Sequence, residues 1–188
     1  MIKYFIFIII IILVINYSYI RCFFKRLVCF RKVRKICDRK GFKIYKTHFL
    51  WFLGSRYMVK CDCYIETPNE LFAVKMFGVD KRSSTLIFNE NGQYYIQRFI
   101  SFVSNGSMIR LPINCKSHTM PKYNFRYKYK NEWEIKTPHK ILLVNPVAME
   151  FRRQMQNGSE EMLDAGDIIN DMEIYSLPRF LGTLGNAL

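Results

Sequence analysis

The spacing of hydrophobic positions changes twice in the first third of the chain, and each stretch predicts a different element. Residues 4–20, YFIFIIIIILVINYSYI, are almost unbroken in apolar character. From 22 to 40 apolar residues recur every three or four positions, at Phe23, Leu27, Phe30, Val33 and Cys37, with Lys and Arg filling most positions between. That spacing predicts an amphipathic helix, ended by Gly41. Beyond Gly41 the period drops to two. Strands are predicted at Phe42–Lys46, Arg56–Ile65 and Leu71–Phe77, the last two joined through the turn residues Thr67, Pro68, Asn69 and Glu70.

Further along, Thr85–Phe88 and Tyr94–Phe99 flank Asn91-Gly92, which predicts a hairpin with a two-residue turn. Residues 104–124, carrying Asn105-Gly106, Pro112 and Pro121, read as loop. Phe125–Lys130 alternates aromatic and cationic residues, so the two kinds fall on opposite faces of a strand. A single-stranded nucleic-acid platform needs them on the same face. Lys140–Pro146 has the compact apolar pattern of a buried strand, and residues 148–155 suit a short helix. Residues 159–167 are acidic and turn-rich. Glu173–Ser176 predicts a last strand, with Ser176 as N-cap and Pro178 early in a closing helix that runs to Leu184. The fold class is therefore α/β, or α+β, with one mixed-sheet domain.

The apolar run suits a membrane. As a helix it spans roughly 25 Å, close to the ~30 Å hydrocarbon core, and the flanking Tyr17, Tyr19, Lys3 and Arg21 extend its reach to the interface. A secretory signal peptide has a similar basic start and apolar centre, but residues 16–21 lack the small residues at alternate positions that cleavage requires. An uncleaved single-pass anchor is the reading retained, ahead of a cleaved signal or a buried core helix. The predicted organisation is an anchor at 1–20, a basic juxtamembrane helix at 21–40 and a domain at 41–188.

Charge sets the orientation. The net charge of +14 is concentrated: residues 21–60 hold thirteen of the 29 basic residues and one of the 15 acids. Positive flanks stay in the cytoplasm, which puts the N-terminus outside and the domain inside. Lys25, Arg26, Arg31, Lys32, Arg34, Lys35, Arg39 and Lys40 form a candidate contact surface for anionic lipid headgroups or for nucleic-acid phosphates. The adjoining apolar run favours lipid. Protein partners stay open, since a domain of this size with half its residues hydrophobic has a core and a surface to offer.

The six cysteines form no disulfide framework and no zinc pattern. Cytoplasmic placement predicts reduced thiols. Cys61 and Cys63 alternate within a predicted strand, which places both on one face, and His48, His118 and His139 are scattered. Cys22 and Cys29 are juxtamembrane positions of the kind that can be lipidated, or simply small apolar residues near the bilayer.

Chemistry enters at residues 25–77. The basic helix, "GFKIYK", the strand "KCDCYIET", a short turn and "LFAVK" together resemble the core of the PD-(D/E)xK restriction-endonuclease-like superfamily, in the style of the nuclease-related domains of some membrane proteins. The resemblance implies an Asp on one strand and Glu-x-Lys on the next, converging on Mg²⁺ and an attacking water. Carboxylates supply hard oxygen ligands and the Lys stabilises developing charge. Asp62 matches the Asp and Lys75 the Lys, while the Glu position holds Ala73, which cannot ligate a metal. Glu70 is the substitute for a displaced metal pair with Asp62, and Glu66 lies beyond the useful end of its strand. The plainer reading of Asp62 and Lys75 is an exposed ion pair across two strands.

The chain has no phosphate-binding glycine loop, no Gly-x-Ser-x-Gly and no His-Glu-x-x-His. Two functions remain in view. The favoured one is a membrane-anchored, non-catalytic binding or scaffolding domain that needs no cofactor. The other is a Mg²⁺-dependent nuclease using Asp62, Glu70 and Lys75.

Overall fold

A computed structural model describes residues 17–47, 61–78, 84–104, 107–113, 118–120, 138–145, 148 and 150–187. Helix α1, Tyr17–Lys40, is followed by strands β1 (Lys43–Lys46), β2 (Cys63–Glu66) and β3 (Leu71–Gly78). Then come β4 (Ser84–Asn89), β5 (Gln93–Ser104), β6 (Ser107–Ile113) and β7 (His118–Thr119). The chain returns through β8 (His139–Asn145), β9 (Glu150–Gln154), β10 (Glu160–Leu163), β11 (Ile168–Ile169) and β12 (Met172–Ser176) to helix α2, Leu177–Asn186. The mixed α/β character read from the sequence holds, but the strands form two sheets rather than one.

The first sheet has the order β1-β2-β3-β8-β12-β11. Its first three strands are antiparallel neighbours, and β3, β8 and β12 run parallel. Both helices cover one face: Cys29, Phe30, Val33 and Cys37 of α1 and Leu177, Phe180 and Leu184 of α2 pack on Cys63, Ile65, Phe72, Val74, Ile141 and Leu143. The opposite face, through Phe77, Leu142, Val144 and Ile174, meets the second sheet, β10-β9-β4-β5-β6. Covered on both sides, all eight residues of β3 are buried, which explains why it reads as a nearly continuous apolar run. Only Lys75 interrupts that run with a charge.

Helix α1 is continuous from within the apolar run to Lys40, so the basic segment and the domain share one core. Residues 4–16 of the predicted anchor lie outside the described residues, as do the predicted strand positions 56–60 and 125–130. Among the described residues, no helix is long and apolar enough to cross a membrane.

Three local expectations are corrected. Residues 107–113 form strand β6 instead of loop. Among the described residues it is the edge of its sheet, the position at which a strand accommodates a proline such as Pro112. Residues 150–154 form strand β9 instead of helix, because they pair in parallel with β4 and antiparallel with β10, the latter formed by the stretch read as acidic turn. The hairpin between β4 and β5 has a three-residue connection, Glu90-Asn91-Gly92, closed by Gly92 N–H donating to the Asn89 carbonyl at 3.3 Å.

Only Gly92 of that turn has positive φ, at 72°, the geometry of a type I turn followed by a left-handed residue. A Cβ added there would meet only the Asn170 side-chain nitrogen at 3.8 Å, so space is not the constraint. Gly92→Ala is therefore expected to cost about 1 kcal/mol from backbone conformation alone, measured by chemical denaturation. Gly92→Asn should cost less, since Asn tolerates the left-handed region better.

Candidate functional site

The chemistry-bearing residues meet where β2 leaves its ladder. Cys63 is the last β2 residue paired with β3, opposite Val74. Asp62, in a bend, still donates its backbone N–H to the Val74 carbonyl at 2.8 Å. Its carboxylate then turns onto β3, where Oδ2 accepts the Met76 N–H at 2.7 Å. The side chain thus supplies an acceptor to a buried backbone donor that would otherwise be costly to leave unmet. Thr47 holds the bend from the other side, its Oγ1 donating to the Cys61 carbonyl at 2.6 Å and its N–H to the Asp62 carbonyl at 3.3 Å.

Two cations close on the other carboxylate oxygen. The Arg26 guanidinium donates to Asp62 Oδ1 through Nη2, and Lys75 Nζ lies 3.8 Å from the same oxygen. Side-chain exposure is 3 % for Arg26 and 0 % for Asp62 and Lys75. Asn145, at the end of β8, donates to the Lys25 carbonyl at 2.8 Å, which fastens this turn of α1 over the end of the sheet. The cluster holds two positive groups and one negative one. Burial pushes the Lys75 pKa below its usual value, and the neighbouring Arg26 adds to that, while the pull of Asp62 does not fully offset them.

The expected exposed ion pair is corrected on this geometry: Asp62 and Lys75 do face each other, but in the interior. The expected metal pair is not assembled. Glu70 lies before β3, its N–H bonded to Thr67 Oγ1 at 3.0 Å and its carboxylate 4.0 Å from His139 Nε2. Lys75 stands five positions further along the chain, roughly 16 Å when extended. Glu66 is engaged elsewhere, accepting the Tyr45 hydroxyl at 3.0 Å. Ala73 is fully buried and packs with Cys61, Tyr64 and Leu71, so an apolar pocket stands where the resemblance implies a second carboxylate.

Mg²⁺ does not fit these residues. The ion requires six oxygen ligands at about 2.1 Å, several of them water. Among the described residues Asp62 is the only carboxylate at the cluster, both of its oxygens face donors, and it has no exposure through which waters would enter. Among the described residues, no group of three or more His, Cys, Asp or Glu side chains is placed to hold a metal.

The eight predicted contact cations divide sharply. Arg31, Lys32, Arg34, Lys35, Arg39 and Lys40 are exposed on α1, and Lys25 is half-buried. Arg26 is not part of that surface; it points into the core. A sequence signal for this existed: Arg26 precedes Phe30, Val33 and Cys37 by four, seven and eleven residues and so stands on their helix face. Comparison with protein-family models, with curated proteins and with solved structures gives no match.

The thiols are also redistributed. The bend at Asp62 sends Cys63 into the core under the helices and Cys61 toward Tyr64 and Ala73, correcting the expectation of a shared face. Cys29, Cys37, Cys61 and Cys63 are free and buried, and burial raises the pKa of each. Inert structural thiols have this character, whereas reactive ones sit in exposed electropositive settings. An open groove of about 740 Å³ lies between α1 and β1, lined by Arg34, Asp38, Lys43, Tyr45 and Lys46 among others. Its cationic rim belongs to the surface, and Asp62 does not line it.

Proposed function

We propose that the chain is a membrane-tethered, non-catalytic binding or scaffolding protein, whose domain faces the cytoplasm and whose nuclease-like residues hold the fold together. The observation that carries this reading is the engagement of Asp62: one oxygen faces Arg26 and Lys75, the other the Met76 N–H, at zero exposure. A general base, a metal ligand or a nucleophile needs access to substrate or water. The apolar run at 4–20 and the basic excess that follows it support the tether and its orientation.

The placement of Asp62 just before β2 and of Lys75 on β3, beneath a basic helix, supports descent from a restriction-like core. In that reading Arg26 supplies, as a fixed side chain, the positive charge that the resemblance assigns to a metal, and Ala73 removes the second carboxylate that only a divalent ion would need. The Mg²⁺-dependent nuclease alternative loses its ligand set.

The tether is tested by fractionating cells that express the full chain. Retention in the membrane pellet through alkaline carbonate, with protease attacking the domain only after the cytoplasmic side is opened, is the expected result. Extraction by carbonate, or cleavage of the domain from outside, would remove the anchor or reverse its orientation.

A further inference from the structure

Helix α1 carries a second organised face, opposite the one that builds the core. With about 100° per residue, Phe24, Val28, Arg31, Lys32, Lys35 and Arg39 fall within about 60° of one line along the helix, and Arg26, Cys29, Val33 and Cys37 lie on the other side, buried against the sheet. All six residues of the line are exposed, Phe24 by 56 % and Val28 by 45 %. The chemistry changes along it in one direction: apolar at the end nearer the hydrophobic run, cationic for the next two to three turns. Asp38, the sole acid of the helix, stands at the flank and is paired with Arg34 at 3.6 Å.

From this arrangement we propose that the outer face of α1 lies flat on an anionic phospholipid bilayer. The inference rests on the tether reading, confines the spanning segment to the residues before Tyr17, where α1 begins, and adds the lipid class and the orientation of the domain. An upright helix would lift Arg39 about 22 Å above Phe24, well beyond the ~8–10 Å over which charges feel the surface at ordinary salt. It would also leave Phe24 and Val28 in water. Lying flat, the two apolar side chains enter the headgroup boundary while the Lys and Arg stems spread along it with their charges among the phosphates. A nucleic-acid duplex would be served by the cations but not by Phe24 and Val28, and a single strand would find one aromatic, at the end nearer the apolar run, instead of a row of stacking rings between the cations. Because the opposite face of α1 is packed on the first sheet, docking places the helical layer against the bilayer and the second sheet farthest from it, with the Arg26 cluster behind the docked helix.

The test labels surface amines of the full chain in proteoliposomes of neutral phosphatidylcholine alone or with ~30 % phosphatidylserine, and reads each lysine by mass spectrometry. Lys32 and Lys35 are expected to label several-fold more slowly on the anionic vesicles, and to recover at 1 M salt, where the screening length is about 3 Å. Lys140, on β8, is expected to label alike on both. Equal labelling of Lys32 and Lys35 on the two lipids overturns the proposal. So does protection that appears only when DNA is added to neutral vesicles, which would assign the stripe to nucleic acid. Flotation separates the two claims: a chain that floats with neutral vesicles at 1 M salt is tethered whether or not it docks. One that floats only with anionic vesicles, and leaves them in salt with Lys32 and Lys35 protected until then, is docked without being tethered.

Discussion

Asp62→Ala is expected to destabilise the protein by about 3–5 kcal/mol, while Lys75→Met changes its stability by less than about 1 kcal/mol. The asymmetry follows from the charge count of the buried cluster. Removing Asp62 leaves Arg26 and Lys75 facing each other at 0–3 % side-chain exposure and strips the Met76 N–H of its acceptor. Both consequences are costly in a region without solvent. Removing the Lys75 amine leaves Arg26 and Asp62 as a neutral pair and keeps the volume of the side chain, and volume-conserving exchanges are well tolerated. The lowered pKa of Lys75, caused first by burial, shows that its charge is held there less well than in water. Urea denaturation of the full chain in detergent measures both variants. Equal losses in the two would mean that Lys75 is as necessary to the cluster as Asp62, against this account.

Alkaline pH is expected to weaken the fold by about 4 kcal/mol between pH 8 and 10. Among the described residues, four buried thiols make the largest contribution. Burial pushes Cys37 up to about 11 and Cys61 to about 12, and raises Cys29 and Cys63 well above their usual value too, against 9.0 for the unfolded chain. Each therefore contributes stability that is complete below 9.0 and is lost as pH climbs toward the folded value, because the unfolded chain releases these protons first. Lys75 acts in the opposite sense. Its folded pKa lies below 10.5, so the unfolded chain holds that proton longer and stability rises through the window beneath 10.5. Among the described residues Tyr95 and Tyr175, whose hydroxyls burial also pushes up, act in the same sense as the thiols, so the groups that weaken the fold outnumber Lys75. Denaturation midpoints taken in reductant from pH 8 to 11 should fall steadily; a flat profile would mean that these thiols ionise as in the unfolded chain.

Where local pattern decides structure, the sequence was a sufficient guide. Strands β1, β3, β8 and β12 carry alternating or continuous apolar residues, and Ser176-Leu177-Pro178 marks the start of α2. Two strands were hidden for physical reasons. Strand β9, Glu-Phe-Arg-Arg-Gln, is polar and owes its conformation to a parallel neighbour more than sixty residues earlier. Strand β6 contains a proline that only an edge position tolerates. The second sheet was missed with them, since its order depends on long-range pairing.

Half of the candidate site was legible. Asp62 and Lys75 were found through motif spacing, and the strand pairing brings them together. Glu70, the substitute ligand of the nuclease alternative, sits in the turn before β3, and an extended strand carries it to the far end. Arg26 was read with the solvated cations around it, and its partner lies 36 residues away. Composition gives no hint of that contact; only its place on the apolar face of α1 does.

The central claim is that the Asp62 cluster is structural and performs no metal-dependent cleavage. It is tested most directly by incubating the full chain in detergent with single- and double-stranded DNA and RNA in the presence of Mg²⁺ or Mn²⁺, beside Lys75→Met. No cleavage by either protein, with both shown folded by their melting transitions, is the predicted result. Cleavage by the wild-type chain that disappears in a folded Lys75→Met variant would contradict it and make Lys75 a catalytic residue.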